Sequence, residues 1–279
     1  MNGRDKFKKK MAASFSEKAV GYDRRAGLQI VVAEWMRERL KEWLRPGLRL
    51  LDVGCGTGLL SLPLRAEDIR LHAVDMAPGM VAMVKEKTVG RPNIHPAVGD
   101  GECLPYSDDA FDLVISSLTY HWILNFEEAF REAFRVLKPG GFFSIALLGR
   151  GTLAELRDAY DGAVGEDGGA LPPLVAFPGT DAVRAAIREA GFTAASLESQ
   201  NVVRTYPDFF DLLRSIKAIG AGNPYPGGAK SLRGKSALEA VRRRYHENSS
   251  DGDGVRATYE VIFCSGEKPD PVIVSGTSP

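Results

Sequence analysis

The strongest constraint in this chain is the apolar run over residues 48–53, followed at once by Gly54, Cys55, Gly56, Thr57 and Gly58. An apolar stretch of this length bounded by glycines reads as a buried strand. The glycines after it let the backbone turn sharply and approach a ligand with no Cβ in the way. Spacing narrows the ligand. A dinucleotide loop needs its third glycine three positions after the second, where this chain has Leu59; its third glycine is Gly58. The pattern is therefore acidic-x-Gly-x-Gly-x-Gly, led by Asp52. Read alone, the same residues could be no more than a tight turn between a strand and a helix, so the rest of the chain has to decide.

Composition removes several classes. The 279 residues are 44% hydrophobic, enough for one α/β domain with an appendage. Lysine plus arginine equals aspartate plus glutamate at 36 each, which leaves no global field for a nucleic acid. Cys55, Cys103 and Cys264 lie far apart with no CxxC pair, so neither a disulfide framework nor a metal site is expected, and a cytoplasmic setting fits. No stretch is long and apolar enough for a membrane. Residues 1–14, with Arg4, Lys6, Lys8, Lys9 and Lys10, read as a disordered basic leader, and the end of the chain, 265–279, as a disordered tail.

Acidic residues recur at strand ends. The second strand, 70–74, ends at Asp75, which lies 21 residues beyond Gly54, the distance at which a carboxylate meets ribose hydroxyls in such folds. Met76 follows, as a candidate to pack on a base or as ordinary core. The third strand, 94–98, runs into Gly99, Asp100 and Gly101, and the fourth, 111–118, holds Ser117 near its carboxyl end before Tyr120, His121 and Trp122. Asp52, Asp75 and Asp100 thus form a register at the edge where open parallel sheets bind ligands. Asn125 caps an amphipathic helix that stops at Lys138-Pro139-Gly140-Gly141, ahead of a fifth strand at 142–148.

At the glycine loop and these strand ends the sequence resembles the class I S-adenosylmethionine-dependent methyltransferases. The arm FSEKAVGYD, the strand-end YHW, GTLAEL and LLRSIKAIGA resemble, more narrowly, the malonyl-acyl-carrier-protein O-methyltransferases of biotin synthesis. The resemblance implies a Rossmann-like, doubly wound, seven-stranded and mostly parallel sheet over 15–264, with a helical lid from an insertion at about 150–235. It implies S-adenosyl-L-methionine as cofactor, held by Asp52, Gly54, Cys55, Gly56, Gly58, Asp75, Met76, Asp100, Gly101 and Ser117, with Asp100 accepting from the adenine amino group. A helix over 59–65 would aim its free N–H groups at the methionine end, and Asp52 would face the ammonium or hold the loop amides.

The implied reaction esterifies the free carboxylate of malonyl-acyl carrier protein or malonyl-CoA. It needs no general base, because that carboxyl, with a pKa of roughly 3 to 4, is ionised at neutral pH. The work left is positioning. Tyr22 closing the site, His121, Trp122, Arg150 and Lys217 are the candidates. Each has a plainer reading: packing for Tyr22 and His121, a surface salt bridge for Arg150. Arg214, Lys217, Lys230, Arg233, Lys235 and Arg242–Arg244 form a basic docking patch for an acidic carrier or simply solvated helix faces. The remaining alternatives are methylation of another small acid or a quinone-like ring, and a cofactor-binding assembly factor that transfers no methyl group. A monomer or weak dimer without nucleic-acid or membrane partners is expected.

Overall fold

Strands and helices alternate along most of the chain: α1 (Gly3–Lys18), α2 (Tyr22–Arg25), α3 (Gly27–Leu40), β1 (Arg49–Val53), β2 (Arg70–Asp75), α4 (Pro78–Lys87), β3 (Ile94–Val98), β4 (Phe111–Ser117), α5 (Phe126–Val136), β5 (Leu137–Leu148), α6 (Ala154–Asp167), α7 (Thr180–Glu189), β6 (Thr193–Tyr206), α8 (Phe209–Ala218), α9 (Leu232–Ser249), β7 (Ser250–Asp251) and β8 (Gly254–Glu267). The structure, a computed structural model, describes residues 3–64, 69–167, 176–218, 232–252 and 254–270.

The sheet order is β3-β2-β1-β4-β5-β8-β6, with the two-residue β7 paired to β8. β1, β2, β3, β4 and β5 pair in parallel, and β8 runs antiparallel between β5 and β6. The order reverses between β1 and β4, which opens a crevice at their carboxyl ends. The expected α/β class and mostly parallel sheet are what the chain forms.

Two apolar layers sandwich the sheet. α3, α4, α6 and α9 supply one, through Val32, Met36, Val84, Ala159 and Tyr245 among others. α5 and α7 supply the other, through Phe130, Ala133, Val183 and Ile187. α5 shows how the sequence specifies such a helix. Asn125 accepts the Glu128 N–H at 3.2 Å as its N-cap, Ala129, Phe130, Ala133 and Val136 fall on one buried face, and the helix gives way to β5 two residues before Pro139 leaves no N–H for another turn. Burying a phenylalanine such as Phe130 stabilises by about 1.5–3 kcal/mol.

Four expectations need correction. The stretch expected as a disordered leader forms α1, because its basic residues find acidic partners: Arg4 pairs with Glu102, and Lys8 lies 2.6 Å from Asp100 and 2.8 Å from Glu102. Residues 59–64 make turns rather than a helix. The Leu62 N–H reaches the Gly58 carbonyl at 3.0 Å, but Pro63 has no N–H to continue the ladder. Residues 265–267, assigned to the tail, pair with β5 and end β8, while 271–279 lie outside the described residues. The 150–235 segment, expected as a lid, contributes in its described part α7 and the strand β6 to the sandwich, and α1 to α3 line the crevice; residues 168–175 and 219–231 lie outside the described residues.

Candidate active site

The cavity opens where the topology predicts, at the strand carboxyl ends. Its floor is Asp52–Thr57 at the end of β1, Val74–Ala77 at the end of β2, Gly99 and Gly101 after β3, and Ser117–Thr119 at the end of β4. α1 adds Met11, Ala12 and Phe15, α2 adds Tyr22, and α3 adds Gln29 and Ala33.

The glycine loop is held from below. The N–H groups of Gly54 and Cys55 both donate to the Val74 carbonyl, at 2.8 and 3.0 Å. Gly54 has φ +69°, and a Cβ there would lie 2.1 Å from Thr119 Cγ2, so no other residue fits against β4. Gly56, at φ +54°, faces open space, which leaves backbone bare toward the cavity. The Asp75 carboxylate fastens the loop: Oδ2 accepts from Gly56 N–H at 2.9 Å and Oδ1 from Ala77 N–H at 2.8 Å. Burial raises the Asp75 pKa, and these two amides hold it back.

Asp52 has no such support. It is 1% exposed, and neither carboxylate oxygen has a hydrogen-bond partner. Burial pushes its pKa up to about 7; the Ser61 hydroxyl close by holds it back, and the neighbouring Asp75 carboxylate adds to the rise. An orphaned carboxylate under a glycine loop is a site built for a cation. The ammonium and sulfonium of S-adenosylmethionine match that need, and Gly56 leaves room for its approach, so the residues present fit this cofactor.

The structure brings together most of the sequence-derived candidates. Tyr22, Asp52, Gly54, Cys55, Gly56, Asp75, Met76, Gly101, Ser117 and Trp122 all line the cavity. Tyr22 is buried in a small cluster with Ala19, Ala26, Ala77 and Met80, and burial raises its pKa. The Cys55 thiol is likewise raised by burial and stays protonated. Trp122 meets the edge of Phe15 from α1 at 6.0 Å.

Others sit elsewhere. Gly58 turns the chain against Leu62 rather than lining the cavity. Asp100 directs its carboxylate at Lys8 and at Glu102 N–H, on the rim. His121 accepts the Leu148 N–H on Nδ1 at 3.2 Å, and its ring packs on Trp122 and Phe177. Loss of water around that ring pushes its pKa down to about 3, so it is a neutral pin at pH 7. Arg150 points to solvent, 3.5 Å from Asp181, with both side chains at least 70% exposed. Lys217 is exposed at the end of α8 and outside the cavity lining. Of the basic patch, Arg214 and Arg242 pair with Asp211 and Glu239 on their own helices, and Lys230 lies outside the described residues.

Sequence reasoning missed five of the lining residues. Phe15 and Met11 belong to the supposed leader and its border. Leu118 and Thr119 follow β4, and Leu118 holds a left-handed backbone at φ +51°, which no sequence signal marks. Gln29 did carry a signal: it is a polar residue on the stripe of Leu28, Val32, Ala33 and Met36. Among the described residues, no Lys, Arg or His lines the cavity, no cluster of His, Cys, Asp and Glu could hold a metal ion, and no helix is long and apolar enough to cross a membrane.

Residues 51–145 match the model of a methyltransferase domain. The malonyl-[acyl-carrier protein] O-methyltransferase of Geobacter sulfurreducens is 37% identical over 265 residues, covering 94% of this chain and 99% of that protein. The chain belongs to the malonyl-[acyl-carrier protein] O-methyltransferase family. The enzyme of that name from Methylococcus capsulatus is 33% identical, with 94% of each chain covered. The fold of this family member agrees with solved structures. YcgJ from Bacillus subtilis superposes with TM-score 0.59 at 20% identity, covering 86% of this chain and 99% of that one. Phosphoethanolamine N-methyltransferase 2 of Haemonchus contortus, solved with S-adenosyl-L-methionine, gives TM-score 0.56 at 18% identity, covering 91% of this chain and 57% of that one.

Proposed function

We propose that this chain transfers the methyl group of S-adenosylmethionine to the free carboxylate of a malonyl group carried on acyl carrier protein, the step its relatives' names describe. The observation that carries this reading is the match to the Geobacter enzyme along essentially the whole length of both chains. The cavity chemistry supports it. Bound to the loop, the cofactor supplies an electrophilic methyl on a sulfonium. The acceptor is an anion already, so the chain need not remove a proton, and the titratable groups lining the cavity suit that: burial drives Tyr22, Cys55 and Asp52 toward their neutral forms. Asp52 becomes ionised when a cation arrives beside it. Asp75 keeps the loop in register, and the rings of Phe15, Tyr22 and Trp122 add apolar surface to the cavity lining. An anion attacking a cation loses charge in the transition state, so apolar surroundings at the reacting atoms favour that state over the separated ions.

The test is direct. Purified chain, S-adenosylmethionine and malonyl-acyl carrier protein are expected to give the carrier-bound methyl ester by mass spectrometry, with malonyl-CoA as a parallel arm. Absence of ester in both arms overturns the reading.

A further inference from the structure

The search for what orients the acceptor ends at α3. A carboxylate in this cavity meets no cation, because Arg150 and Lys217 lie outside the lining and no other basic side chain is there among the described residues. Besides the acidic Asp52 and Asp75 and the Cys55 thiol, the polar side chains that remain are Tyr22, Gln29, Thr57, Ser117, Thr119 and Trp122, of which Thr57 Oγ1 is occupied by the Asp23 carboxylate. Thr119 Oγ1 is occupied by the carbonyls of Gly54 and Ser117, at 3.1 and 3.2 Å.

Gln29 differs from the rest. It stands in the first turn of α3 on the face that Leu28, Val32, Ala33 and Met36 bury in the core, and its Oε1 is buried without a partner. An amide placed there to stabilise the fold would show a hydrogen bond to the protein. Its Oε1 has none, and its side chain lines the cavity with Ala33, one turn further along the same helix. A half-turn of the amide exchanges Oε1 and Nε2, so the group can present N–H donors to an anion.

We infer that Gln29 is the substrate-positioning residue that donates to the acceptor carboxylate, holding one oxygen so that the other points at the methyl group; this rests on the malonyl reading above. A neutral donor orients the carboxylate without neutralising it. The attacking oxygen keeps its charge and forms the O–CH3 bond with its own electron pair, the S–CH3 pair returns to sulfur, and no proton moves. An arginine grip would stabilise the ground-state anion more than the neutral ester-like transition state.

The test compares wild type, Gln29→Leu and Gln29→Glu as purified full-length chains. Readouts are ester formation on malonyl-acyl carrier protein, S-adenosylhomocysteine affinity by calorimetry, Tm, and inhibition by a thioester whose free carboxylate is replaced by a primary amide. For Gln29→Leu, kcat/KM is expected to fall about 10- to 100-fold, the loss of one hydrogen bond to a charged group, with cofactor-product affinity within about twofold of wild type and Tm unchanged or higher. Gln29→Glu is expected to lose more activity yet bind the amide analogue at least as well as wild type, since a carboxylate accepts from an amide and repels an anion; a merely structural role would weaken both ligands alike. Wild-type kcat/KM in Gln29→Leu, or a loss matched by equal losses in cofactor-product affinity or Tm, overturns the assignment alone. A wild-type chain that forms no ester overturns the functional reading, and the assignment with it.

Discussion

The floor and the cover of the cavity are built by different means. The floor is largely backbone: the loop from Asp52 to Thr57 hangs on the Val74 carbonyl and the Asp75 carboxylate, and its Gly54 carbonyl accepts from Thr119 Oγ1 beyond β4. The cover is side chains from α1, α2 and α3, held on by the Lys8 pairs with Asp100 and Glu102, the Phe15–Trp122 edge contact and the Gly79 N–H donating to Ser16 Oγ at 3.1 Å. α1 buries no residue of its own. A floor made this way specifies one cofactor and tolerates little change, whereas a cover of separate contacts can shift its acceptor specificity while the cofactor stays bound.

Substitutions in the floor should therefore cost most. Gly54→Ala puts a Cβ 2.1 Å from Thr119 in a left-handed backbone, and it is expected to abolish S-adenosylhomocysteine binding and destabilise the fold by roughly 2–4 kcal/mol, read by calorimetry and thermal melts. Asp52→Asn is the next step down and separates binding from stability. Cofactor-product affinity should drop about 10- to 100-fold for loss of the charge-assisted contact. Ligand-free stability at pH 8 should rise by a few kcal/mol, because the buried carboxylate opposes folding once ionised.

The same group sets a pH dependence. With a folded pKa of about 7 against roughly 3.9 unfolded, the folded state holds the extra proton between those values. Stability of the ligand-free chain thus declines as pH rises from about 4 to about 7 through this group and is flat above. Cofactor binding runs the other way, weakening up to about tenfold per pH unit below 7, since the proton must leave first. Titrations at pH 6 and pH 8 that give equal affinity would remove Asp52 from the cation site. Arg150→Ala marks the bottom of the scale: its pairing with Asp181 is a solvent-exposed contact worth about 0–1 kcal/mol, and kcat/KM should stay within about twofold.

Much of this was legible before the fold was known, though unevenly. The helix face of α5, its Asn125 cap and the strand runs ending at Asp52, Asp75 and Asp100 follow from periodicity and local chemistry, which a sequence displays directly. The failures share a cause. Arg150 follows the fifth strand on the ligand-binding side of the sheet and still turns to Asp181, while the leader expected to be free folds onto Glu102 and Asp100. In both cases the partner lies tens of residues away, where no local pattern reaches.

By itself, then, the sequence determined the α/β class, the glycine loop and the acidic strand ends, because each is a statement about neighbouring residues and a repeat of two or 3.6. Only the tertiary structure decided that α1 to α3 roof the cavity, that no Lys, Arg or His of the described residues lines it, and that the Asp52 carboxylate and Gln29 Oε1 stand there unpartnered. The direction of a side chain at the end of an element depends on how helices pack across the sheet, a balance of long-range burial and pairing that no local window contains.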